Sequence, residues 1–202
     1  MIAKKILSLV ASIISLFIII LLYNINSSAD ENNIKYYSND AGILSVMYHR
    51  FNESKYPSTN IQMDIFKKHI EIIKKSNYEF HNPNKLDQYF SITKSQKKIL
   101  ITIDDAFESF YREAWPYLQK NKIPFILFVS TEPVGKKGYM TWDQIKEISN
   151  ENFVLIGHHS HSHKYLIDLS NKEFITDIEK ANKIFTKEFG KVPNLFSYPF
   201  GE

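Results

Sequence analysis

The chain has 202 residues, a formal charge of +3 and 44% hydrophobic residues, enough for one ordinary domain with a real core and too apolar for wholesale disorder. Lysine and arginine are scattered among aspartate and glutamate with no long basic run, so nucleic acid is not implied. There is no cysteine, which excludes disulfides, thiol catalysis and thiolate metal ligands.

Lys4 and Lys5 precede an uncharged stretch, residues 6–23, and the next charge is Asp30. An apolar run of this length with lysines on its N-terminal side predicts a hydrophobic helix over residues 1–23. It is read as an uncleaved signal-anchor, because a cleaved signal usually has a shorter apolar region; a cleaved signal peptide, with Ser27-Ser28-Ala29 as a weak site, is the other reading. Either way the lysines stay cytoplasmic and the remainder is exported. The expected location is the cell envelope: anchored in the cytoplasmic membrane facing outward, or periplasmic or secreted after cleavage. Residues 24–41 are polar and read as a linker, and residues 42–202 as one domain.

Residues 43–48 form an apolar run of strand length that ends in His49-Arg50-Phe51. Apolar residues at 61, 65, 66, 70, 72 and 73 have helical spacing over 61–75. Strands are expected at 99–103, 125–129 and 153–156, and helices at 109–121, 142–149 and 171–189, the last ended by Gly190. Residues 195–198 read as a final strand. The strands are solidly apolar, which predicts a parallel sheet covered by helices: an α/β fold, with a barrel among its forms.

Polar residues collect where the strands end: His49, Asp104-Asp105, the cluster His158-His159-Ser160-His161-Ser162-His163, and Tyr198-Pro199-Phe200. That rim carries the active site in α/β barrels and open sheets. Adjacent carboxylates ending a buried strand repel each other and are costly to desolvate without a cation. Successive strand residues point to opposite sides, so Asp104 and Asp105 cannot share one task. One can bind metal while its neighbour acts as base. Four of the seven histidines lie within the six positions 158–163, which is hard to explain as core packing. His159 and His163 share a face on a helical turn; in an extended segment His159, His161 and His163 would share one instead. Two imidazoles and a carboxylate are a common ligand set for catalytic zinc. His49 is a candidate pocket residue. His158 and His161, taken singly, read as structural, and His69 and His81 are assigned nothing. The abundant aromatics, 14% of residues, suit sugar stacking but serve cores more often.

These residues resemble a known family. Thr102-Ile103-Asp104-Asp105 is similar to the Thr-Phe-Asp-Asp motif of polysaccharide deacetylases, carbohydrate esterase family 4. Residues 159–163 match the family's His-Ser/Thr-x-x-His motif, and Ser197-Tyr198-Pro199-Phe200-Gly201 resembles its Arg-x-Pro-Tyr/Phe motif. Met47-Tyr48-His49-Arg50 resembles the opening strand of exported members, including those acting on poly-β-1,6-N-acetylglucosamine. The resemblance implies a distorted (β/α) barrel and a divalent metal, usually zinc, held by Asp105, His159 and His163. It makes Asp104 the general base toward the attacking water. The backbone N–H of Phe200 becomes an oxyanion donor, and Tyr198 and Pro199 become pocket residues beside His49. The implied substrate is an amino-sugar polysaccharide that loses acetate.

The chain departs from the pattern in three places. Ile103 replaces phenylalanine, Ala106 stands where glycine is common, and Ser197 replaces the arginine that orients the base. The family's Leu-x-x-His, source of the general acid, is expected beyond residue 202, so the barrel is expected to be incomplete at its C-terminus. Two other readings use the same residues: a polysaccharide O-acetyl esterase, and a non-catalytic glycan-binding module.

Overall fold

The computed structural model describes residues 42–89 and 97–202. The expected N-terminal hydrophobic helix and linker lie outside them. Among the described residues no helix is long and apolar enough to cross a membrane.

The main sheet is parallel throughout. Its strands are β1 (Ile43–Tyr48), β4 (Glu79–Phe80), β5 (Lys98–Asp104), β6 (Phe125–Val129) and β7 (Val154–His158), and a separate pair joins β2 (Arg50–Phe51) to β3 (Asn60–Ile61). The long strands run in the order β1, β5, β6, β7, while β4 pairs only with Lys98 and Ile99 at the start of β5. Helices connect them: α1 (Met63–Lys75), the short α2 (Leu86–Tyr89), α3 (Trp115–Asn121), α4 (Trp142–Ser149) and α5 (Asn171–Phe189).

Alternation along the strands sorts the core. Ile99, Ile101 and Ile103 of β5 and Phe125, Leu127 and Val129 of β6 pack in the larger cluster with Phe66 and Ile70 of α1, Leu118 of α3, Ile145 of α4 and Phe185 of α5. Leu100, Ile126 and Phe128 form a second cluster with Ile43, Leu155 and Leu195. The solidly apolar β5 and β6 are thus buried on both faces, as in a helix-covered parallel sheet, whereas β1 leaves Leu44 and Met47 exposed.

The α/β fold with a parallel sheet is as expected, and the barrel is not closed over the described residues. Among the described residues β1 pairs with β5 alone, and no strand links β1 back to the β7 side, so the sheet is open. Closure demands that first and last strands pair, usually with eight strands in all. The final strand, expected over 195–198, reduces to one parallel bridge between Phe196 and His158. His158 N–H donates to the Leu195 carbonyl at 2.8 Å and Ser197 N–H to the His158 carbonyl at 2.9 Å. Pro199 has no N–H to extend such a ladder.

The helix expected over 109–121 also has a break of known cause. Residues 110–114 form a π-turn, and Trp115 N–H bonds back to the Phe110 carbonyl. Pro116 follows directly, and its ring would clash with the carbonyl four residues earlier in a regular helix. The wider turn relieves that clash. Helices α4 and α5 both open with capping boxes, Thr141 with Gln144 and Ser170 with Glu173. Gly190 ends α5 in the left-handed conformation, φ 72°.

Candidate active site

Strand β5 delivers Asp104 to the rim of the sheet as its last residue, and Asp105 opens the following turn. Asp105 (φ 74°) and Ala106 (φ 55°) are both left-handed. Two consecutive non-glycine residues in that region cost about 1 kcal/mol or more each and persist only where the surroundings fix them. Ala106 is fully buried, and its carbonyl accepts from Met140 N–H at 2.9 Å. The turn therefore forms with alanine where the family prefers glycine.

Beyond His158 the histidine cluster is neither helix nor strand. His158 ends β7, and the chain then turns through left-handed Ser160 (φ 64°) and His163 (φ 54°). This settles the alternatives left open by spacing: His159 and His163 come together, with ring centroids 4.9 Å apart, and His161 does not join them. His161 instead shares a 2.8 Å hydrogen bond between Nδ1 and the Thr131 hydroxyl. His158 is buried between Phe185 and Phe196, and its Nδ1 accepts the Ser160 N–H at 3.0 Å, a structural role.

Ligand atoms of Asp105, His159 and His163 all lie within 4.8 Å of one another. Asp105 Oδ1 is 2.8 Å from His163 Nε2 and 3.5 Å from His159 Nε2. His159 Nδ1 lies 2.8 Å from the Ser197 carbonyl. A carbonyl only accepts, so Nδ1 carries the proton and the Nε2 lone pair faces Asp105. Donors of a tetrahedral zinc stand roughly 3.4 Å apart, given bonds of about 2.0–2.1 Å. The His159–Asp105 pair has that spacing already, and the His163–Asp105 pair is closed by a hydrogen bond. The donor set and its fixed tautomer fit a divalent metal.

Electrostatics divide the two aspartates. Burial, then the Asp105 charge, pushes Asp104 up to about 7. Burial also acts to raise Asp105, but the hydrogen bond and charge of His163, with His159 and His49 behind them, hold it below the ordinary carboxylate range. Burial takes His159 down to about 4. Burial, the largest single influence, pulls His163 down, yet the hydrogen bond and charge of Asp105, with the Asp104 charge behind them, together raise the imidazole. Asp104 Oδ2 accepts from the Ser197 hydroxyl at 3.3 Å, while the buried Oδ1 has no hydrogen-bond partner among the described residues. A serine thus touches the carboxylate where the family carries arginine. That contact could not be read from the sequence, since substitution at the motif pointed only to a loss.

A cleft of about 300 Å³ opens beside Asp105 and His163, lined also by Phe107, Tyr139, Glu132 and Lys136. Phe107 and Tyr139 pack with ring centroids 4.9 Å apart, and Arg50 lies 3.3 Å over the Phe107 ring. Sequence reading did not single out this aromatic wall. His49, Tyr198 and Pro199 do not line this cleft. His49 is half-buried near enough to the centre to feel the charges of Asp105 and His163, and burial lowers its pKa. Pro199 is buried, and Tyr198 is exposed with its ring edge on Phe196. Phe200 sits in a left-handed conformation (φ 60°), stacked on Tyr165 at 4.0 Å and edge-on to His163 at 4.8 Å.

The chain was compared with known proteins. It is 26% identical to the poly-beta-1,6-N-acetyl-D-glucosamine N-deacetylase of Staphylococcus aureus (strain N315), over 98% of this chain and 79% of that protein. It is 25% identical to YxkH of Bacillus subtilis (strain 168), over 77% of this chain but only 56% of YxkH. The structure of IcaB from Ammonifex degensii superposes with a TM-score of 0.73 at 27% identity, covering 80% of this chain and 76% of that one. The sequence profile of the polysaccharide deacetylases matches residues 91–202, more than half of the chain and all of the rim from β5 onward. The chain belongs to the polysaccharide deacetylase family.

Proposed function

We propose that this protein is a metal-dependent hydrolase that removes N-acetyl groups from an extracytoplasmic amino-sugar polysaccharide. The observation that carries the reading is the convergence of Asp105, His159 and His163 beside a buried Asp104 oxygen with no partner among the described residues. A glycan-binding module has no use for a buried carboxylate held near neutrality, which is costly to keep. A hydrolase does, because a general base works best with its pKa close to the working pH.

Asp105, His159 and His163 would hold the metal, zinc in the first place. When bound, it supplies Lewis acidity toward a carbonyl oxygen and toward water. Asp104 Oδ1 takes the proton from the attacking water, while the Ser197 hydroxyl holds Oδ2. The Ser197 carbonyl keeps the proton of His159 on Nδ1. The Phe200 N–H is assigned to the developing oxyanion, on a backbone pinned by the stack with Tyr165. His49, Tyr198 and Pro199 are assigned to the substrate rim. The substrate class is taken from the Staphylococcus aureus relative, named for poly-beta-1,6-N-acetyl-D-glucosamine. Export, by anchor or cleaved signal, rests on the pattern of Lys4-Lys5 and residues 6–23.

Acetate release from N-acetylglucosamine oligomers tests the reading, measured with and without chelator and after zinc is restored. An aryl acetate runs in parallel, because its leaving group needs no proton and reports metal and base alone. Chelation is expected to abolish both activities and zinc to restore them. Equal rates in the chelated protein would contradict the proposal, and hydrolysis of O-acetylated glycans but not N-acetylated ones would favour the esterase.

A further inference from the structure

Asp177 lies on α5, fourteen residues beyond the second histidine of the site, and is buried at 7% exposure. It occupies one stripe with Ala181 and Phe185, at four-residue spacing, on the face of α5 that packs inward. A carboxylate on such a stripe needs hydrogen-bond donors. It finds two: Oδ1 accepts from His161 N–H at 2.7 Å and Oδ2 from Ser162 N–H at 3.0 Å. Both belong to the loop that carries the histidines.

The backbone amides from 158 to 163 can be followed one by one. His158 donates to the Leu195 carbonyl and His159 to the Val129 carbonyl. Ser160 donates to His158 Nδ1 and His163 to the Ser160 hydroxyl. Only His161 and Ser162 depend on a charged side chain, and that side chain is Asp177. The loop's carbonyls are tied from the other side: His159 to the Ser130 hydroxyl, Ser160 to Thr131 N–H and His161 to Glu132 N–H. The clamped pair lies between the two left-handed residues, Ser160 and His163, whose backbone angles set where His159 and His163 point. Side chains and amides that orient ligands without touching a metal commonly govern its affinity.

We infer that Asp177 is the positioning residue of this centre: through the His161 and Ser162 amides it holds the loop in the one turn that brings His159 and His163 to Asp105. The inference rests on the reading of those three residues as a metal site. It reaches a residue that neither the motif spacing nor the cleft points to.

Zinc binding tests it, measured by competition with a chromophoric chelator on the full 202-residue chain after metal removal. The variants are Asp177→Asn, Asp177→Glu, Asp105→Asn and Ile145→Val. Ile145 is buried in α4 and is neither a site residue nor part of the histidine loop, and its truncation controls for a general loss of stability. Asp177→Asn keeps one acceptor but sets an NH2 group against an amide, and is expected to weaken zinc about 10–100-fold. Ile145→Val is expected to bind as the wild type does. Should Asp177→Asn not fold, Asp177→Glu carries the test: it keeps the charge, shifts the oxygens by one methylene and is expected to bind zinc several-fold more weakly. Wild-type affinity in a folded Asp177→Asn or Asp177→Glu, or an equal loss in Ile145→Val, would overturn the inference. Indifference of zinc binding to Asp105→Asn would instead overturn the metal-site reading beneath it.

Discussion

Asp104 and Asp105 are neighbours with opposite fates. Asp105 gains two imidazoles, while Asp104 gains burial, one hydroxyl and the repulsion of Asp105. With its pKa raised from 3.8 to about 7, Asp104 favours folding in its neutral form. That contribution is complete below the unfolded pKa and is lost as pH rises through 7, by at most on the order of 4 kcal/mol. His159, lowered to about 4, works the other way: its contribution is present above 6.5 and is lost as pH falls toward 4. In metal-free protein the two oppose each other between pH 4 and 6.5. Asp104→Asn removes one of them, so its stability relative to wild type should climb steadily from pH 4 to 7. Denaturant titrations across that range measure this, and a difference that does not vary with pH would contradict it. Strand alternation points to unequal roles for the two carboxylates; in the structure Asp104 ends β5 and Asp105 opens the left-handed turn beyond it, so it is the turn that separates them. What stayed illegible was the support: Ser197 reaches Asp104 from ninety-three residues away, and Asp177 looks like any surface acid until α5 is docked.

At the scale of elements, the continuous apolar runs predicted strands well, because a strand buried on both faces has no polar alternation to blur it. The histidine loop was less legible, since its turn depends on left-handed residues that are not glycine. The π-turn before Pro116 and the single bridge at Phe196 were also missed, as both depend on local exceptions rather than on periodicity. Gly157 offers a direct check on how β6 and β7 meet. A Cβ at that position would lie 2.3 Å from Cδ1 of Phe128 on the neighbouring strand. Gly157→Ala must therefore displace a buried ring in the second cluster, at a cost of about 1–3 kcal/mol. Thermal unfolding should show a clear drop in Tm, and an unchanged Tm would mean that Phe128 can turn aside freely. Since Gly157 immediately precedes His158, the same displacement should disturb the histidine loop.

For the whole molecule, the long-range order was the least readable level. Alternating strands and helices announced an α/β fold, but the sequence does not say whether a parallel sheet closes. The described residues form an open one whose rim still gathers Asp104, Asp105, His159 and His163. The central claim is a division of labour on that rim, with Asp105 as ligand and Asp104 as base. It is tested most directly by measuring zinc content and acetate release from N-acetylglucosamine oligomers side by side in Asp104→Asn and Asp105→Asn. The account predicts that Asp104→Asn retains zinc but releases acetate at least 100-fold more slowly, while Asp105→Asn loses both. Wild-type acetate release by Asp104→Asn, or undiminished zinc in Asp105→Asn, would contradict it.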